Sequence, residues 1–122
     1  MPADESLKRF ISASFRSVWS LELLLLLKQR PGLYRRDELI AGLHGSELVV
    51  TQALTWLVAG GLVSLDEEGK ATYQPASSAL AMLVDEAEDL YGRKPDAVRR
   101  LIVAGAAPGL TAFADAFRFR KN

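Results

Sequence analysis

Apolar residues recur along most of the chain at intervals of three and four, the period of a helix with one buried face. From Asp4 to Phe15, the positions Leu7, Phe10, Ile11 and Phe15 share such a face, with Lys8, Arg9 and Ser12 between them. This predicts an amphipathic first helix over residues 4–15. Ser17 or Ser20 can cap a second helix, with Lys28 and Arg30 in its last turn, where cations suit the helix dipole. The run Leu23 to Leu27 puts leucine on every side of that helix, so it is expected at the centre of the fold. Pro31-Gly32 stops it.

A short helix is predicted from Asp37 to Leu43, with Leu39, Ile40 and Leu43 inward, two carboxylates in its first turn and Arg35 or Arg36 at its cap. His44-Gly45 follows as a tight turn in which the glycine is expected to supply the positive φ. Ser46 caps the next helix, whose inward positions are Val50, Ala53, Leu54 and Leu57, and Gly60-Gly61 ends it. The period then changes to alternation. Leu62 to Leu65 and Ala71 to Gln74 predict two strands joined through Asp66-Glu67-Glu68-Gly69-Lys70, with Pro75 closing the hairpin.

The last third is again helical. Leu80, Leu83, Val84, Ala87, Leu90 and Tyr91 form one stripe, Asp85, Glu86, Glu88 and Asp89 lie mostly elsewhere, and Gly92 is the expected end. Pro95 opens another helix at its favoured first position, carrying Val98, Leu101 and Ile102. Ala107-Pro108-Gly109 is expected to break it, with Gly105 and Gly109 flanking the turn. Leu110, Phe113, Ala114 and Phe117 form a last amphipathic segment before the basic Arg118, Arg120 and Lys121, which read as a DNA-touching arm or as a soluble tail. The pattern as a whole predicts a mainly α single domain with one two-stranded β-hairpin, its N- and C-terminal helices packed together and supporting a homodimer.

Composition narrows the partners. A chain of 122 residues with 49% apolar and 25% charged residues can bury a core without staples. Fifteen basic and fifteen acidic residues cancel, so attraction to nucleic acid or membrane must come from local patches. The absence of cysteine removes disulfides and thiolate metal sites. The opening MPADESLKRF lacks a secretory pattern, and five adjacent leucines fall far short of the ~20 apolar residues that cross a bilayer. The expected location is the cytoplasm, with no membrane partner.

The segment ALTWLVAGGLVSLDEEGKATYQP, Ala53 to Pro75, resembles the recognition-helix end, glycine stop and wing of bacterial winged helix-turn-helix transcriptional regulators of the broad MarR/PadR type. The order helix, helix, turn, helix, hairpin over about residues 18–75 agrees with it, covering about half the chain. The resemblance implies a winged helix-turn-helix with flanking helices at 4–15 and 77–119, a role in transcription regulation and double-stranded DNA as the partner. The Ser46-capped helix would then enter the major groove, with Leu48, Gln52, Thr55 and Ala59 outward and Glu47, Val49, Thr51 and Trp56 on its flanks. DNA contacts are expected from Ser46, Leu48, Thr51, Gln52 and Thr55, with Arg35, Arg36 and Lys70 on phosphates and Lys28 and Arg30 nearby.

Charge supplies an alternative. No Lys or Arg occurs from Asp37 through Gly69. The second expectation is a winged helix that has lost DNA binding and contacts a protein partner through Glu47, Leu48, Val49 and Trp56, with Asp66, Glu67 and Glu68 recognising a basic surface. For Trp56 itself, burial against the hairpin or a neighbouring helix is the competing expectation.

Little in the chain points to catalysis. His44 is the one histidine and sits in a turn, and the acids at 85–89 face away from an apolar stripe as a solvated face does. There is no phosphate-cradling glycine loop, no serine elbow and no nucleophile beside a base. The expectation is a non-enzyme without cofactor or metal.

Overall fold

The structure is a computed structural model that describes residues 2–105. Its elements are α1 Pro2–Ser14, α2 Val18–Gln29, α3 Arg36–Leu43, α4 Glu47–Ala59, β1 Val63–Leu65, β2 Ala71–Tyr73 and α5 Ser78–Arg93. A last helix, α6, begins at residue 95 and is described to residue 105. The expected break at Ala107-Pro108-Gly109, the segment carrying Leu110 to Phe117 and the basic Arg118, Arg120 and Lys121 lie outside the described residues.

Two serines start the central helix. Ser17 is extended and its hydroxyl accepts from the Ser20 backbone N–H at 3.2 Å, while the Ser20 hydroxyl accepts from the Ser17 N–H at 3.4 Å. Ser17 is therefore the cap, and Ser20, fully buried, is its reciprocal partner three residues on. Leu21, Leu23, Leu24, Leu25 and Leu27 are all buried because α3, α4 and β2 cover α2 from different sides. Each buried leucine contributes about 2 kcal/mol of transfer free energy, so α2 is the main source of core burial. α1 and α2 are bent by 103° at the intervening turn, where Phe15 is fully buried and its ring meets Phe10 edge-on at 5.8 Å. No single helix among the described residues is long and apolar enough to cross a membrane.

The turn between α3 and α4 differs from expectation. His44, not Gly45, takes the left-handed conformation, with φ 56° and ψ 32°. The Gly45 N–H reaches back to the Ile40 carbonyl at 3.3 Å, the closing bond of a Schellman turn in which His44 occupies the left-handed position. Gly45 packs beside Trp19 and Val50, where a β-carbon would make ordinary contacts of 3.5 and 3.6 Å.

α4 begins as expected, with the Ser46 hydroxyl accepting from the Val49 N–H at 3.2 Å. At its end Gly61 is left-handed, with φ 76°, and the Leu62 N–H donates to the Leu57 carbonyl at 3.0 Å. A β-carbon on Gly61 would also meet the Ala76 methyl at 3.2 Å, so both backbone and space demand glycine.

β1 and β2 pair antiparallel with Val63 opposite Tyr73, Ser64 opposite Thr72 and Leu65 opposite Ala71. On its other side Ala71 forms a bridge with Tyr34, the two residues exchanging backbone hydrogen bonds of 2.9 and 2.8 Å. This third strand fragment just before α3 was not foreseen. It pins the α2–α3 connection to the hairpin.

Gly92 is not the end of α5, which runs to Arg93 and is capped at Lys94, φ −138°. Pro95 explains the difference, since the residue before a proline is driven out of the helical region. α5 packs on α1, and α6 joins them: the Ser12 hydroxyl donates to the Leu101 carbonyl at 3.3 Å. Gly105 is the last described residue of α6 and lies so close to α1 that a β-carbon would be 2.5 Å from the Ser12 carbonyl oxygen. Val98 and Ile102 are buried in this contact. The N-terminal helix thus packs on the helices after the hairpin, as the stripes predict.

Candidate functional site

α4 divides cleanly into two faces. Val50, Ala53, Leu54 and Leu57 are buried against the core, which leaves Leu48, Gln52 and Thr55 exposed in a row along the opposite side, with Glu47 exposed on the flank. Leu48 is 66% exposed. Val49 and Thr51 are half-buried, and Ala59 is exposed at the far end. The Thr55 hydroxyl donates to the Thr51 carbonyl at 3.0 Å, and the Ser46 hydroxyl holds the cap, so both already have partners within the helix.

Trp56 falls between its two expected fates. Its ring is half-buried, and the Arg16 guanidinium lies over it, 5.8 Å from the centroid. Arg16 comes from the α1–α2 turn, and no sequence signal connects it with Trp56. The contact is worth about 0.5–1 kcal/mol at such a site and brings a cation to the C-terminal half of α4.

The start of α3, the start of α4 and the hairpin tip converge on a cleft of about 410 Å³ lined by Arg35, Arg36, Asp37, Ile40, Glu47 and Glu68, together with Gly69. Arg35 and Arg36, expected on DNA, and Glu47 and Glu68, expected on a protein partner, therefore meet at one place. The Arg35 guanidinium is 3.2 Å from Asp37 and 3.8 Å from Glu38, and the Lys70 ammonium is 3.8 Å from Glu68. Arg36 is exposed and has no carboxylate within 4.0 Å among the described residues. Between residues 35 and 70 the cations Arg35, Arg36 and Lys70 stand against Asp37, Glu38, Glu47, Asp66, Glu67 and Glu68, three against six and a net of −3.

The hairpin acids are not equivalent. Asp66 builds the turn: its carboxylate accepts from the Glu68 N–H at 2.9 Å and the Lys70 N–H at 2.8 Å. Gly69, with φ 82°, lets the chain return. Glu67 and Glu68 are exposed at the tip.

Lys28 does not belong to this surface. It turns onto α5, 2.6 Å from Glu88 and 3.2 Å from Asp85. The hydrogen bond to Glu88 raises its pKa, and the bonds from Lys28 and then Gln29 lower that of Glu88. Beside them burial raises the Tyr73 phenol, whose buried hydroxyl has no hydrogen-bond partner among the described residues. Tyr91 is raised by burial first and by its hydrogen bond to Glu22 second. Lys28, Glu88, Glu22 and Tyr91 thus meet along the seam between α2 and α5.

Among the described residues no group of three or more His, Cys, Asp or Glu is placed to hold a metal. The surface offers apolar contact at Leu48, an aromatic edge at Trp56, amide chemistry at Gln52 and a negative surround. The chain matches no protein-family model, no curated protein and no solved structure.

Proposed function

We propose that this chain is a winged helix-turn-helix module, with α3 and α4 as the helix pair and β1–β2 as the wing, that presents α4 to a protein partner with a basic surface. The resemblance to MarR/PadR-type regulators supports the layout. The observation that carries the choice of partner is the excess of acid around α4: six acids stand against Arg35, Arg36 and Lys70 between residues 35 and 70 and against Arg16 over Trp56, with Arg35 and Lys70 both beside acids. DNA affinity comes mostly from neutralised phosphates, and a surface on which acids outnumber bases repels the duplex it would have to approach. A basic protein meets the same surface with complementary charge, while Leu48 and the accessible edge of Trp56 supply the apolar anchors that such interfaces concentrate.

The alternative, a DNA-binding transcriptional regulator, is favoured by exposed Arg36 at the start of α3 and exposed Gln52 on α4, whose amide matches an adenine edge. A homodimer joining two copies would double the cations offered to a duplex and belongs to that alternative.

Fluorescence anisotropy of random and genomic duplexes at about 50 mM salt separates the two, because counterion release is strongest there. No binding is expected. Binding that weakens steeply with added salt would instead establish the regulator. In parallel, the partner captured by immobilised protein is expected to be basic, to elute with salt and to be lost with Leu48→Asp or with Glu67→Lys and Glu68→Lys together.

A further inference from the structure

A second surface lies away from α4. A groove of about 630 Å³ runs between α1, the end of α5 and α6, a volume within the range of small-molecule sites. Leu7, Leu90 and Leu101 form its floor; all three are half-buried and packed on the core. Its remaining polar lining is Lys8, Arg93, Lys94 and Arg100, all exposed, and no acid among the described residues lines it. Arg93 is held by Asp89 at 2.9 Å, which leaves Lys8, Lys94 and Arg100 on the rim without a carboxylate within 4.0 Å among the described residues.

In a chain whose charges cancel overall, this segregation is uneven. Lys8, Lys94 and Arg100 round one apolar floor repel one another, and an anion placed among them relieves that repulsion. A small inorganic anion would leave the leucines facing water, and an uncharged hydrocarbon would leave the cations uncompensated. We propose that the groove binds a single-chain amphiphile with a carboxylate head, its chain on Leu7, Leu90 and Leu101 and its head among Lys8, Lys94 and Arg100. The site is built by the packing of α6 on α1, where Ser12 and Gly105 touch. It shares no residue with the α4 surface, so it stands or falls separately from the proposed partner.

Calorimetric titration of the full chain with decanoate, below its micelle concentration, tests this. Decanoate is expected to bind, decanol at least tenfold more weakly, and acetate and decyltrimethylammonium not at all. Lys8→Glu with Arg100→Glu, both on exposed positions, is expected to weaken decanoate at least tenfold with the fold intact by circular dichroism. Ala104→Asp, which sets a carboxylate beside the floor, is expected to do the same. Absence of decanoate binding, equal binding of decanol, or indifference to the charge reversal would overturn the proposal. Retention on anionic phospholipid vesicles without binding of free decanoate would also overturn it, assigning the cations to a membrane surface.

Discussion

The Lys28 ammonium stands 2.6 Å from the Glu88 carboxylate, across the seam between α2 and α5. Gln29 donates to the other oxygen of the same carboxylate at 3.0 Å, so one acid on α5 holds the last turn of the central helix twice. Both side chains of the ion pair are less than a third exposed, which gives it more weight than a solvated surface pair.

Stability should follow the pair through pH. The Glu88 pKa is lowered from an ordinary 4.5, so its contribution is present above that value and is lost as pH falls through the lower folded value. The Lys28 pKa is raised from 10.5, so its contribution is present below that value and is lost as pH rises through the higher folded one. Urea unfolding is expected to show a plateau between these limits. Glu88→Gln is expected to cost about 1–2 kcal/mol at pH 7 and to flatten the acid limb; an unchanged acid limb would remove Glu88 as its cause.

Two glycines in neighbouring helices should respond in opposite ways. Gly105→Ala drives a methyl against the Ser12 backbone, which cannot swing aside, and is expected to destabilise by about 1–3 kcal/mol. Gly92→Ala meets nothing within 4 Å and replaces a poor helix former inside α5, with an expected gain of about 0.5–1 kcal/mol. Melting temperatures that move in the same direction would contradict the α1–α6 contact.

His44 carries a left-handed backbone that glycine adopts without steric cost. His44→Gly is therefore expected to raise stability by about 0.5–1 kcal/mol despite removing a side chain, as read by chemical denaturation. A loss would mean that the imidazole makes up for its strained backbone.

Asp66 and Glu67 sit next to each other with different tasks. Asp66→Ala removes two hydrogen bonds of the hairpin turn and is expected to cost about 1–2 kcal/mol. Glu67→Ala, at an exposed tip, is expected to stay within about 0.5 kcal/mol. If Glu67→Ala weakens partner capture while stability holds, the tip acid acts in recognition.

Helical and alternating periods, a serine cap at Ser17 or Ser20, the Ser46 cap, the Gly60-Gly61 stop and the proline start at Pro95 were legible in the residues, because each acts through its near neighbours in the chain. The central position of α2 followed from leucine on every side. Contacts between distant segments were not legible: Tyr34 bridging Ala71, Arg16 over Trp56, Lys28 turned onto Glu88, Gly105 pressed against Ser12. The sequence also placed the positive φ on Gly45, since glycine tolerates it best, whereas the hydrogen-bond register of the helix end assigned it to His44 one residue earlier.

The sequence by itself determined which residues are helical, which face of α4 is buried and that few cations lie near it, all consequences of local order and charge count. Only the tertiary structure decided that Lys28 turns onto Glu88, that Arg16 lies over Trp56, and that four cations from α1, α5 and α6 ring one apolar groove. The physical reason is that periodicity fixes a side chain's direction on its own element, whereas charge pairing and grooves depend on which elements the packed core brings side by side.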